Sequence, residues 1–139
     1  MPLTRLIYVS TITDKFEASS LEDILRIGRK NNSKNGITGM LCFQRKYFIQ
    51  CLEGSRKAIN ETYNKIINDE RHTDIMILEY NPIHVREFND WCMGYIPTSQ
   101  FTDPLILKFS TSVDFNPYDM SSTSVDMLML EFKKTHLSF

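Results

Sequence analysis

The chain has 139 residues, 42% apolar and 24% charged, with a formal net charge of -1. A chain of this size can bury roughly 68% of its unfolded surface, enough for one self-supporting domain. Its near-neutral charge, with Lys and Arg scattered, excludes a general nucleic-acid or anionic-membrane binder, which needs a clustered basic face.

Leu3 to Ser10 reads as a first strand, with Leu6, Tyr8 and Ser10 on one face and Ile7 and Val9 on the other. Residues 11–18 are polar and read as a loop. Ser19 with Glu22 has the spacing of a capping box, which opens a helix with a Leu21, Ile24, Leu25 and Ile27 stripe. Arg26, Arg29 and Lys30 suit the end of that helix, and Asn31-Asn32 reads as its stop. Residues 36–54 then form a β-hairpin turning at Gln44-Arg45-Lys46. Its second arm places Phe48, Gln50 and Leu52 on one face and Tyr47, Ile49 and Cys51 on the other. Both faces are otherwise apolar, so Gln50 is a polar side chain in a buried strand. Unpaired, it would cost roughly 1–3 kcal/mol. It therefore bonds either another part of the protein or a ligand.

Ser55 caps a second helix of about Arg56 to Asn68, whose apolar face is Ile59, Thr62, Tyr63, Ile66 and Ile67. Asp69-Glu70-Arg71-His72-Thr73 reads as a charged loop, and Ile75 to Tyr80 as a fourth strand ended by Asn81-Pro82. His84 to Asp90 is polar and short enough for one helical turn. Trp91 to Ile96 reads as a fifth strand with Trp91, Met93 and Tyr95 on one face. The order β-α-β-β-α-β plus one strand predicts an α+β, ferredoxin-like sheet with both helices on one face. Asp103 to Phe109, and a helix from Ser121 or Ser122 with Val125, Leu128, Met129 and Phe132 on one side, would cover the other face. Residues 1–97 and 98–139 are thus a sheet domain and its helical cap rather than two domains.

Catalytic signatures are absent. There is no G-x-G-x-x-G, P-loop, H-E-x-x-H or G-x-S-x-G. His72, His84 and His136 show no metal-ligand spacing, so no metal is expected. Cys42, Cys51 and Cys92 lie in apolar runs without a C-x-x-C and read as core residues in a reducing compartment. The N-terminus enters a strand directly and no apolar run reaches transmembrane length, which predicts a cytoplasmic protein. What remains is Tyr8, Gln50, Trp91 and Met93 on three strands. If they share the helix-facing side they line a slot walled by Ile24 and Ile66, with Asn32 at its polar end. A mostly apolar slot with a few convergent polar groups suits a planar cofactor.

Five segments together resemble the BLUF family of blue-light sensors using FAD. They are Leu6-Ile7-Tyr8-Val9-Ser10, Asn31-Asn32 with Gly36 to Leu41, Phe48 to Gly54, Asp69-Glu70-Arg71-His72, and Trp91-Cys92-Met93. The segment from Phe115 to the final helix is similar to the tail of short PixD-type members, which carry no effector domain. The resemblance implies a non-enzymatic photoreceptor holding FAD, or FMN or riboflavin in its place, between the two helices. Tyr8 would be the electron donor and Gln50 would stand between it and the ring. Asn32 would bond the ring edge, Asn31 would lie near the ribityl chain, and Ile24 and Ile66 would sandwich the ring. Asp69, Arg71 and His72 would lie at the phosphate end, and Trp91 and Met93 would relay the signal, with either the tryptophan or the methionine inside near the flavin. Implied partners are further copies of the chain and a response-regulator-like protein. On the residues alone, an acylphosphatase-like enzyme and a flavin-independent interaction module remain alternatives. The first lacks an Arg at Ser10-Thr11-Ile12-Thr13, where its anion loop would be.

Overall fold

A computed structural model describes residues 2–135. Its elements are β1 (Leu3–Ile12), α1 (Ser20–Asn35), β2 (Thr38–Gln44), β3 (Tyr47–Ser55), α2 (Arg56–Ile67), β4 (His72–Pro82), β5 (Gly94–Ile96), α3 (Asp103–Phe109) and α4 (Ser122–Thr135). The strands form one sheet in the order β4-β1-β3-β2-β5, antiparallel except for the β2–β5 pair. The first four strands and two helices have the expected ferredoxin-like arrangement, and β5 extends the β2 edge.

Two apolar layers follow from strand alternation. On the α1–α2 face, Leu6, Leu41, Phe48 and Leu52 pack with Ile37, Ile59 and Met93. On the opposite face, Ile7, Val9, Met40, Cys42, Ile49 and Cys51 pack under Ile106 of α3 and Val125, Leu128, Met129 and Phe132 of α4. The final helix buries the stripe expected of it. No helix among the described residues is long and apolar enough to cross a membrane.

Several local expectations are corrected. Ser19 makes no side-chain cap; the Ser20 hydroxyl instead accepts from the Glu17 amide at 2.9 Å. α1 does not stop at Asn31-Asn32. It runs to Asn35 and ends at Gly36, whose φ of 67° is the left-handed conformation that glycine adopts freely. Arg26, Arg29 and Lys30 therefore sit mid-helix, and Lys34 is the basic residue of the last turn. Ile27 and Ile67 are exposed, and Cys92 is only half-buried. β1 continues through Ile12, and β4 starts at His72, because antiparallel pairing joins those two residues. His84–Asp90 forms bends and a turn rather than a helical turn.

The largest correction concerns the fifth strand, which contains only Gly94–Ile96. Trp91, Cys92 and Met93 precede it without ladder pairing, so strand parity does not apply to them. Trp91 folds back over Gly94, where a Cβ would collide with the indole. Its ring stacks on Phe88 at 5.8 Å in the α3–α4 layer, whereas Met93 joins the α1–α2 layer. Trp91 and Met93 thus lie on opposite faces of the sheet.

The segment leading to Trp91 is held by Glu53, whose side chain is 0% exposed. Its Oε2 accepts from Arg5 Nη2 at 2.9 Å and the Glu87 amide at 3.0 Å, and its Oε1 accepts from the Phe88 amide at 2.9 Å. Arg86 adds bonds to the Glu53, Gly36 and Thr38 oxygens at 2.8–2.9 Å. Removing one partner of a buried ion pair strands the other charge, a loss of about 3–5 kcal/mol. Glu53→Ala is expected to lower unfolding stability by about that amount in a urea titration. Glu70→Ala, which breaks only the exposed Lys15–Glu70 pair, should leave the midpoint unchanged.

Candidate functional site

α1 and α2 lie side by side on the sheet and leave a cleft of about 270 Å³ between them. Ile24 and Gly28, one turn apart on α1, line one wall, and Thr62 and Ile66, one turn apart on α2, line the other. Leu41, Phe48, Tyr8, Gln50 and Met93 form the floor. The i, i+4 spacing of each pair explains why both helices direct these side chains into one slot. At Gly28 a Cβ would lie 3.4 Å from the Met93 methyl, so the absence of a side chain there keeps the wall open.

The floor carries a line of polar contacts. Tyr8 and Gln50 are cross-strand neighbours in the β1–β3 ladder, which puts their side chains on one face. A register irregularity between Ile7 and Tyr8 in the β1–β4 pairing adjoins this point. The Tyr8 hydroxyl donates to Gln50 Oε1, and Gln50 Nε2 donates to Met93 Sδ at 3.5 Å. Both ends of the buried amide are thereby engaged by other parts of the protein. Burial raises the Tyr8 phenol above its ordinary range, and the nearby Tyr63 and Asp69 add to the shift.

Asn32 is buried in the last turn of α1 and donates to the Cys92 carbonyl at 2.7 Å. Asn31 reaches Thr62 across the cleft at 3.5 Å. Arg29 donates to the Met93 carbonyl at 3.1 Å. α1 therefore grips the backbone on which Met93 is mounted from two positions.

One end of the cleft is charged. Arg71 is held by Asp69 at 2.7 Å and by Asp23 of α1 at 3.0 Å, and Lys65 also lines the cleft. The Arg71 guanidinium holds both carboxyls below their usual range. His72 is fixed by Ser10 Oγ at 2.8 Å and the Ile66 carbonyl at 2.7 Å. Of the residues singled out in the sequence, Tyr8, Ile24, Asn31, Asn32, Gln50, Ile66, Asp69, Arg71, His72 and Met93 line this cleft; Trp91 does not. Gly28 and Asp23 escaped the sequence reading, while Arg29 and Thr62 stand in it only as a helix-end cation and a helix-face residue and not as part of the site. Gly28 and Thr62 were detectable as the i+4 and i−4 neighbours of Ile24 and Ile66, whereas nothing local marks Asp23 or Arg29. His136 lies outside the described residues, and no metal-ligand cluster occurs among those described.

Comparison with known proteins gives a consistent picture. The family model described as "BLUF: Sensors of blue-light using FAD" matches residues 3–94. The chain is 36% identical over 86 residues to photoactivated adenylate cyclase subunit beta of Euglena longa, covering 62% of this chain and 10% of that protein. It is 34% identical over 82 residues to the blue light- and temperature-regulated antirepressor BluF of Escherichia coli, covering 58% and 20%. The chain thus spans no more than a fifth of the length of these curated relatives. Among solved structures, BlsA in its photo-activated state superposes with a TM-score of 0.84 at 30% identity, covering 93% of each chain. BlrB in its dark state gives 0.79 at 27% identity, covering 97% and 98%. By the family model and by the fold shared with solved members, the chain belongs to the BLUF family, the sensors of blue light using FAD.

Proposed function

We propose that the cleft between α1 and α2 binds FAD non-covalently and that Tyr8 and Gln50 carry the photochemistry of a non-enzymatic blue-light sensor. The observation that supports this most is the Tyr8–Gln50–Met93 line on the floor of an apolar slot. The residues present fit a flavin: two aliphatic walls for a planar ring, hydrogen-bonding groups along the floor, and the Arg71 guanidinium at one end for a phosphate. Ile24 and Ile66 would flank the ring, Asn32 and Gln50 would address its polar edge, and Asn31 would lie by the ribityl chain. Arg71, oriented by Asp69 and Asp23, would take the phosphate, with His72 beside it. FMN would meet the same contacts, and riboflavin all except the phosphate.

When bound, the flavin supplies a ring that absorbs blue light and then accepts an electron. Tyr8 is placed to give that electron while its phenolic proton moves along the bond to Gln50. Burial raises the Tyr8 phenol above its ordinary range, so the proton is present to be moved near neutral pH. The Gln50 amide has an acceptor end on Tyr8 and a donor end on Met93. Rotation or tautomerisation exchanges these ends and alters the bonds available to the ring and to Met93. Met93 is carried on the segment that begins at Glu53's clamp and includes Trp91 on the other face, so a change at Gln50 has a path to the α3–α4 layer. Residues 98–139 would then act as the cap that presents the signal to a partner protein, as a homo-oligomer in the mode of PixD-type relatives.

Absorbance spectra of the flavin-loaded protein in the dark and after blue light test this reading. A reversible red shift is expected in the wild type and its loss in Tyr8→Phe and Gln50→Leu, with flavin still bound. A shift that survives in Gln50→Leu would overturn the assignment. Arg71→Ala removes a charge-assisted bond worth about 1.5–3 kcal/mol. FAD affinity should fall about tenfold or more by fluorescence titration, with riboflavin affinity unchanged. In an alkaline ultraviolet titration, Tyr8→Phe should not reduce the number of tyrosines ionising below about pH 11, because the Tyr8 phenolate does not form there.

A further inference from the structure

Trp91, Cys92 and Met93 cross the sheet edge without strand pairing, yet each of their carbonyls has a donor. The Gly39 amide of β2 donates to the Trp91 carbonyl at 2.8 Å, Asn32 Nδ2 to the Cys92 carbonyl at 2.7 Å, and Arg29 Nε to the Met93 carbonyl at 3.1 Å. Two of the three donors are α1 side chains at positions i and i+3, neighbours on one flank of the helix. Arg26 of the same helix and Arg71 pair with carboxylates, whereas Arg29 is placed on a backbone oxygen.

The three bonds do different things. Gly39 is fixed in the β2–β3 ladder opposite Leu52, and Asn32 is buried, so the first two anchor the chain as it reaches the cleft. Of the three, the Arg29 bond is the one on Met93 itself, the residue whose Sδ accepts from Gln50 Nε2 at 3.5 Å. A thioether is a weak acceptor, so this contact persists only where the sulfur is held in place. A guanidinium holds the carbonyl more strongly than a neutral donor would. We propose that Arg29 is a positioning residue: it fixes the Met93 peptide so that Sδ stays on Gln50, and it thereby favours the dark arrangement of the Gln50 amide over the rearranged one. The second half rests on the photochemical reading of Tyr8 and Gln50; the first does not.

The direction of the effect follows from the two ends of the amide. In the dark arrangement Gln50 turns its donor to Met93 Sδ. Once its ends are exchanged it turns an acceptor there, and no hydrogen bond forms between them. Arg29 therefore stabilises the dark arrangement through Met93 and gives the rearranged one nothing by this route. Without Arg29 that preference weakens, and the return from the rearranged state slows several-fold, to a limit of about tenfold. Lysine at this position keeps the effect, because one ammonium donor on a flexible stem can replace a single guanidinium bond.

Methionine-methyl NMR of the full chain in the dark, with and without FAD, tests the positioning role, the Met93 signal being assigned through Met93→Leu. In Arg29→Ala, which keeps helix propensity, the Met93 signal should sharpen and move toward the position of free methionine. The Met40 signal, from the opposite core layer, should stay in place. Arg29→Lys should restore the Met93 signal, and Arg29→Leu carries the test if the alanine variant fails to fold. With FAD bound, return to the dark spectrum after blue light should slow several-fold in Arg29→Ala and stay near the wild-type rate in Arg29→Lys. A Met93 signal that ignores the loss of Arg29 would overturn the positioning role. A signal that moves while the return rate is unchanged or faster would overturn its link to Gln50. A wild type with no light response overturns the photochemical reading and the link that rests on it, and the methyl comparison still decides the positioning role.

Discussion

The structure depends on one buried carboxylate. Glu53 has no exposed surface, and an ionised group in that position must be surrounded by donors. Arg5 comes from the neighbouring strand, and the Glu87 and Phe88 amides come from a segment that has no ladder of its own. Satisfying Glu53 therefore fixes where the chain between β4 and β5 begins its crossing of the sheet edge. The crossing ends with Met93 on one face and Trp91 on the other. β3 carries both Glu53 and Gln50, three residues apart and on opposite faces, so the anchor of this segment and its contact with the cleft share one strand.

The cleft combines two kinds of surface that serve different ends. Its walls are aliphatic and come from helix positions one turn apart, which makes a slot selective for shape. Its floor and one end are polar, and their groups are already engaged with one another. Tyr8 bonds Gln50, Gln50 bonds Met93, and Arg71 lies between Asp69 and Asp23. Pre-engaged partners reduce the ordering cost of binding a ligand. Gln50 differs from the others because its amide has two unlike ends and therefore two sensible arrangements.

On the far side of the sheet the helical tail supplies the second core layer. Aromatic contacts join it internally, with Phe101 meeting Phe132 at 4.9 Å and Phe115 at 5.1 Å. Tyr118 ties it to the sheet through Thr11 at 2.8 Å and the Asp74 carbonyl at 2.9 Å. Trp91 lies in this layer, so the segment that touches the cleft at Met93 touches the tail two residues earlier. The two faces are joined by a short stretch of irregular backbone.

The element order, the layering of the sheet, the buried stripe of α4 and the burial of Gln50 among apolar neighbours were all legible in the residues. They depend on periodicity and local chemistry, which the sequence carries directly. The family was legible as well, from five segments in order. Helix α1 overran its apparent Asn stop because Gly36, four residues on, offers a better left-handed terminus and Asn32 is drawn inward to the Cys92 carbonyl. The split of Trp91 from Met93 was not legible, since parity assumes a strand and Glu53's demand for donors leaves none there. The roles of Asp23 and Arg29 join residues 48–64 positions apart. The sequence by itself determined the order of the elements and most of the apolar positions that form the two core layers. Only the tertiary structure decided which buried polar groups meet, because that pairing is set by how the helices and the β4–β5 segment close over the sheet.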